Sequence, residues 1–214
     1  MKRTAAKIRR EYGPFPGVND VGGVSFDGQR IWMATGASLQ AVDPDSGAIL
    51  GDLDILAEAG TAFDGENLYQ ITGSTIVKID PGTGAVLTTI PAPDAAGDNS
   101  GLAWAEGSLW VGQHRGGKIH QVDPSNGVVL RTIESDRFVT GVTWVDGELW
   151  HGTWQDGRSD VRRIDAQSGE VLERIEMPAG TGVSGLESDG REQFFCGGGG
   201  SGKVLVIERP RQTE

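Results

Sequence analysis

A single cysteine, Cys196, leaves this chain no partner for an internal disulfide and no set of thiolates for a zinc site. Long hydrophobic runs are missing as well. No stretch approaches the roughly 18 apolar residues of a membrane span, and the opening MKRTAAKIRREYGPFP is basic without the apolar core of a secretory signal. These absences set the expectation of a cytoplasmic protein with no membrane partner. Positive charge is scarce: 19 Lys and Arg face 30 Asp and Glu, for a net charge of −11. Five of those bases, Lys2, Arg3, Lys7, Arg9 and Arg10, crowd into the first ten residues. The rest of the chain is acidic enough to repel phosphate backbones, so nucleic acid is not an expected partner. Histidine occurs only as His114, His120 and His151, and no acidic or histidine cluster has ligand spacing. No cofactor is expected from this, and a metal stays unassigned.

What the chain has in quantity is glycine, 34 residues of it, placed at a regular interval. The phrase GVSFDGQRIWMATGASLQAVDPDSGAILGDL from Gly23 recurs as GTAFDGENLYQITGSTIVKIDPGTGAVLTTI from Gly60, then again from Gly101 and Gly141, and in shortened form from Gly185. The anchoring residues Asp43, Asp80, Asp123, Asp165 and Glu208 are spaced 37, 43, 42 and 43 apart. Each copy reads as four short β-runs with a hairpin at Asp-Gly and a second turn at Asp-Pro-x-x-Gly. Repeats of about 40 residues with four strands are the signature of propeller blades. The sequence therefore predicts an all-β, five-bladed β-propeller with four antiparallel strands per blade, in one domain over 1–214. The blades fall near 23–55, 60–91, 101–134, 141–177 and 185–208. The fifth copy runs out after its third strand, and AAKIRREYG resembles the fourth strand of copy three. Residues 4–11 are therefore expected to complete the last blade and close the ring.

The phrases LYQITG at 68–73 and VDGELWHGTWQDGRSDVRRIDAQSGEV at 145–171 resemble the five-bladed glutamine cyclotransferases, the plant and bacterial type of glutaminyl cyclase. The resemblance extends over nearly the whole chain, and part of it is shared with virginiamycin B lyase and other propellers carrying the x-x-D-P-x-x-G turn. It implies a propeller acting on a small molecule. In the cyclotransferases a catalytic Glu directly precedes the Gly that opens the second copy, and an Asn-Glu pair opens the fourth. This sequence has Ala59 before Gly60, and Thr140-Gly141. Glu58 stands one residue early, where a strand turns the side chain to its opposite face. Virginiamycin B lyase works with histidines and magnesium, and its site does not carry over residue by residue.

Five copies make departures from the pattern informative. Trp32, Tyr69, Trp110, Trp150 and Phe195 share one position and are expected to pack between blades. The third position of the innermost strand reads Ser25, Ala62, Ala103 and Thr143, then Glu187; the position after the shared aromatic reads Met33, Gln70, Val111, His151 and Cys196. Glu187 and His151 are thus the candidate acid–base pair, with Cys196 a weaker candidate nucleophile. The loops between second and third strands should lengthen in blades three to five, and they share a face with the loops between blades. That mouth nominates Trp154, Arg137, His114, Asp156, Asn99 and Glu58 for substrate contacts. CGGGGSGK at 196–203 lacks the spacing and the following helix of a phosphate loop. The expected protein is a soluble, monomeric enzyme working by proton transfer on a small polar or amine-bearing metabolite. The competing expectation is a propeller that binds a ligand or peptide without turnover.

Overall fold

The computed structural model describes residues 1–210, and residues 211–214 lie outside the described residues. The chain opens with β1 (Lys2–Ala5) and β2 (Ile8–Tyr12) and then builds five sheets in order. Blade one is β3 (Gly23–Phe26), β4 (Ile31–Ala34), β5 (Leu39–Val42) and β6 (Ile49–Leu53); blade two is β7 (Thr61–Phe63), β8 (Leu68–Thr72), β9 (Thr75–Ile79) and β10 (Val86–Pro91). Blade three is β11 (Asn99–Ala105), β12 (Ser108–Gln113), β13 (Lys118–Val122) and β14 (Val129–Glu134); blade four is β15 (Phe138–Val145), β16 (Glu148–Gln155), β17 (Arg158–Ile164) and β18 (Val171–Glu176). Blade five is β19 (Leu186–Ser188), β20 (Gln193–Gly197) and β21 (Val204–Glu208), completed by β2 from the start of the chain. The innermost strands β3, β7, β11, β15 and β19 neighbour one another in a closed ring. The protein is a five-bladed β-propeller, and no helix occurs among the described residues.

Turn chemistry explains why each blade folds on itself. Asp43, Asp80, Asp123 and Asp165 each accept backbone and hydroxyl hydrogen bonds through Oδ1 from residues two or three positions on, which holds these carboxyls below the usual range. Copy five carries Glu208 instead, which pairs with Lys7 and Arg9 beside β2. The repeated aromatics pack between neighbouring blades. Tyr69 lies 5.5 Å from Trp104, Trp110 5.3 Å from Trp144, and Trp150 5.1 Å from Phe194.

The start of the chain divides in a way the repeat does not predict. Only Ile8–Tyr12 closes blade five, with Ile8 opposite Ile207 and Tyr12 opposite Val204. Lys2–Ala5 instead runs parallel to β18 as a fifth strand on blade four, with Arg3 opposite Arg174. The break comes at Ala6-Lys7, where the backbone crosses from one blade edge to the next and Ala6 still donates to Glu176.

Five glycines fix the centre. A Cβ on Gly101 would lie 2.5 Å from the carbonyl oxygen of Thr140, and Gly23, Gly60, Gly141 and Gly185 each meet the backbone of the next innermost strand in the same manner. Gly23 abuts Gly60, Gly60 abuts Gly101, Gly101 abuts Gly141, Gly141 abuts Gly185, and Gly185 returns to Gly23. The ring is drawn tight enough for the Gly60 N–H to bond the Ser100 carbonyl 2.5 Å away in the next blade. Only residues without a side chain permit this approach.

Candidate site at the propeller mouth

Just before each ring glycine stand Gly22, Ala59, Ser100, Thr140 and Ser184, and all five line one cavity of about 730 Å³ at the face where each blade hands over to the next. A second cavity of about 640 Å³ lies against blades four and five and shares His114, Thr140 and Ser184 with the first. Together they form one funnel over a floor of small residues. The Ser100 hydroxyl donates to the Val139 carbonyl at 2.8 Å, and the Ser184 hydroxyl donates to the Val21 carbonyl while accepting from Gly199 N–H at 2.9 Å. Thr140 Oγ1 is buried and has no hydrogen-bond partner among the described residues.

The funnel wall is acidic. Glu11, Asp20, Glu58, Asp94 and Asp98 border it, against Lys203 and Arg115. Lys203 is engaged with Glu11 at 2.8 Å, Asp94 accepts backbone N–H groups of its own loop, and Asp98 accepts from Gly116 N–H in the β12–β13 turn at 2.9 Å. Asp20 and Glu58 make no ion pair among the described residues. Partial burial raises the Asp20 carboxyl above the usual range. Trp154 borders the cavity of blades four and five together with the glycine-rich backbone of Gly198–Ser201 and Gly180–Ser184.

Of the residues nominated from sequence, the mouth brings together His114, Trp154, Glu58 and Asn99. His114 Nδ1 lies 3.3 Å from the Val139 carbonyl, and its ring sits 5.0 Å from that of Phe138. Asn99 is committed to the loop that carries it: its amide donates to the Asp94 carbonyl at 2.8 Å and accepts from Asp94 N–H at 3.1 Å. Trp154 lies in β16, paired with Ser159, so the expected long loop of blade four is an extended hairpin. Asp156 occupies its tip with a φ of 53°, followed by Gly157 at 75°, where it shapes a tight turn outside the two mouth cavities.

The proposed acid–base pair is split. His151 is 1% exposed, its Nδ1 lies 3.1 Å from the Gly152 carbonyl, and burial lowers its pKa to about 4. It is a neutral histidine packed within blade four, and neither mouth cavity includes it. Glu187 follows the ring glycine Gly185 by two residues, which puts it on the opposite side of the glycine ring from the funnel. It accepts from the Thr143 hydroxyl at 2.5 Å and from Ser188 N–H at 2.7 Å, while burial raises its pKa to about 7. Cys196 is fully buried, and its thiol is pushed far up, away from nucleophilic use. Arg137 turns outward to Asp160 on the flank of blade four, 3.1 Å away. Among the described residues no three His, Cys, Asp or Glu side chains gather as a metal site.

Sequence reasoning passed over the hydroxyl floor, whereas Asp20 stood among the inter-blade loop residues expected near the mouth. A signal for the floor was present, because Ser100, Thr140 and Ser184 interrupt Gly22 and Ala59 at one repeat position.

The sequence matches no known family profile and no curated protein. Solved structures do match in shape. Glutaminyl cyclase of Myxococcus xanthus superposes with a TM-score of 0.77 at 19% identity, covering 96% of this chain and 97% of that one. Virginiamycin B lyase from Staphylococcus aureus superposes at 0.54 with 16% identity over 94% of this chain and 70% of that one. The WD40 propeller domain of Doa1 gives 0.57 at 17% identity over 89% and 64%. The chain is thus a five-bladed β-propeller whose fold is similar to those of glutaminyl cyclase and virginiamycin B lyase.

Proposed function

We propose that this propeller captures a small, polar, amine-bearing molecule at its mouth. The observation that carries the reading is the funnel itself: two joined cavities with an excess of carboxylates, two of them without a cationic partner among the described residues, beside the half-buried indole of Trp154. An ammonium group meets opposite charge there and an aromatic face for cation–π contact. The hydroxyl floor and the backbone of the glycine-rich segments supply hydrogen bonds for the remainder of the molecule.

A second reading, turnover by proton transfer, is favoured by the similarity in fold to glutaminyl cyclase and by the presence of His114 and Asp20 on one cavity wall. In that reading His114 and Asp20 take the roles that His151 and Glu187 cannot reach from where they sit. Against it stands Ala59, at the floor position where the cyclotransferase resemblance leads one to look for an acid. Calorimetry with a panel of primary amines, including a peptide with N-terminal glutamine, separates the two. Binding that weakens at least tenfold in Trp154→Ala, with unchanged thermal stability, supports capture at the mouth. Release of ammonia that is abolished in His114→Ala adds catalysis. Absence of binding for the entire panel, or full affinity in Trp154→Ala, removes the proposal.

A further inference from the structure

The face of blade four that turns toward blade three carries a second constellation, away from the mouth. Arg162 is 0% exposed, donates through Nε to Asp160 Oδ1 at 2.7 Å and is paired with Asp136. Asp160, itself 3% exposed, also accepts from the Thr153 hydroxyl at 2.6 Å and from Arg137 at 3.1 Å, and Arg174 Nε lies 3.3 Å from it. One carboxylate is therefore shared by three guanidinium groups. Arg174 Nε is buried and makes no aligned hydrogen bond among the described residues. Burial and the neighbouring Arg162, Arg137 and Arg3 charges together lower the Arg174 pKa.

Outside this cluster opens a cavity of about 410 Å³ lined by Arg3, Arg137, Arg158 and Arg174, with the carboxylates of Asp160 and Glu176. Arg3 is brought there by the parallel pairing of β1 on β18, and Arg158 by the extended hairpin. Neither makes an ion pair among the described residues. Counting the buried Arg162 and its exposed partner Asp136, five guanidinium groups stand against three carboxylates, an excess of two positive charges in a chain of net charge −11.

The other blades show that packing does not require this. The cross-strand pair Arg162 and Arg174 corresponds to Gln40 and Asp52, Val77 and Thr89, and His120 and Thr132. Pinning the Asp136–Arg137 connection to the hairpin accounts for Arg162, Asp160 and Arg137. It leaves Arg3 and Arg158 without a purpose. Planar guanidinium forks around a partly enclosed cavity are the donor set that binds tetrahedral oxyanions.

We propose that this flank of blade four binds a phosphate dianion, either free or as the end group of a small phosphorylated molecule. The excess of two charges fits one dianion, and the unfilled donors of Arg3, Arg158 and Arg174 supply its hydrogen bonds.

The test is thermal unfolding and calorimetry of the full chain with inorganic phosphate and with a phosphate monoester, at ionic strength held constant with chloride. Saturable stabilisation beyond chloride is expected, with affinity reduced at least about tenfold in the Arg3→Ala, Arg158→Ala double variant. Tighter binding of the monoester identifies a phosphorylated molecule as the ligand, and tighter binding of inorganic phosphate identifies the free ion. Both side chains are truncated at exposed positions, so unfolding without phosphate should match the parent. If the alanine pair does lower it, the corresponding Lys pair keeps the charge and loses the fork, and a several-fold loss of affinity is then expected. Stabilisation no greater than with chloride, or undiminished affinity in either double variant, overturns the assignment. So does a loss that follows Lys203→Ala, which would put the anion on the glycine-rich segment of the mouth.

Discussion

Glu187, half-buried, and His151, fully buried, both break the repeat, and both are titratable groups drawn out of water with opposite consequences. Burial raises the Glu187 pKa from 4.5 to about 7, so the folded chain holds a proton that the unfolded chain releases. Its contribution to stability is complete below about pH 4.5 and is lost as pH rises through 7. Burial lowers the His151 pKa from 6.5 to about 4, so the folded chain keeps it neutral. Its contribution is complete above pH 6.5 and is lost as pH falls through 4. The two slopes oppose one another between about pH 4.5 and 6.5, and the wild-type stability should be nearly flat there. Glu187→Gln should expose a stability that climbs with pH across that window, and His151→Asn one that falls, each by on the order of 1–3 kcal/mol. Denaturant unfolding at half-unit pH steps reads this directly, and parallel profiles for all three proteins would mean that neither group titrates as its surroundings dictate. The comparison of copies singled out both residues because polarity stands out against a repeat. It did not show whether the odd residue faces solvent, since that depends on which side of the glycine ring and which face of the blade it occupies.

At the scale of the element, the strands and turns were legible because each has a local cause. Asp-Pro-x-x-Gly closes a turn through its own carboxylate, and alternation sets the buried face of each strand. The central glycines were visible only as the first letter of each copy. Their reason lies in the backbone of the next blade, which no single copy contains. Gly101→Ala would drive a Cβ against Thr140 O and Val142 N, both at 2.5 Å, where neither partner is a movable side-chain end. The loss of stability should exceed about 3 kcal/mol, well above an ordinary surface change. Gly28→Ala serves as the comparison, because its site is open but its φ of 91° is strained for any side chain. It should cost about 1 kcal/mol, or a little more. Equal losses for the two, measured by chemical unfolding, would show that the inner strands have room to separate. The divided start of the chain was not legible, because Lys2–Ala5 has no alternation and its parallel partner lies 171 residues away.

At the scale of the molecule, that same start holds the ring shut. The outermost strand of blade five comes from Ile8–Tyr12, held by its ladder to β21, by Lys7 and Arg9 on Glu208, and by Glu11 on Lys203. Tyr12 and Phe15 continue into a core shared with Val24, Met33 and Val42 of blade one, so one segment joins the last blade to the first. The closure also positions function, since Lys203 and Glu11 border the mouth cavity and Arg3, from the neighbouring strand, borders the flank cavity. A chain lacking residues 1–12 would bare the edge of β21, and a bare edge pairs with another chain. Such a variant should unfold at lower temperature and self-associate on size-exclusion chromatography. A synthetic peptide of residues 1–12 added in excess should restore the monomer and part of the lost stability. A truncated chain that stays monomeric and equally stable would mean that the ring is held by its five glycines and its inter-blade aromatics alone, with the N-terminal strands serving only to carry side chains to the two cavities.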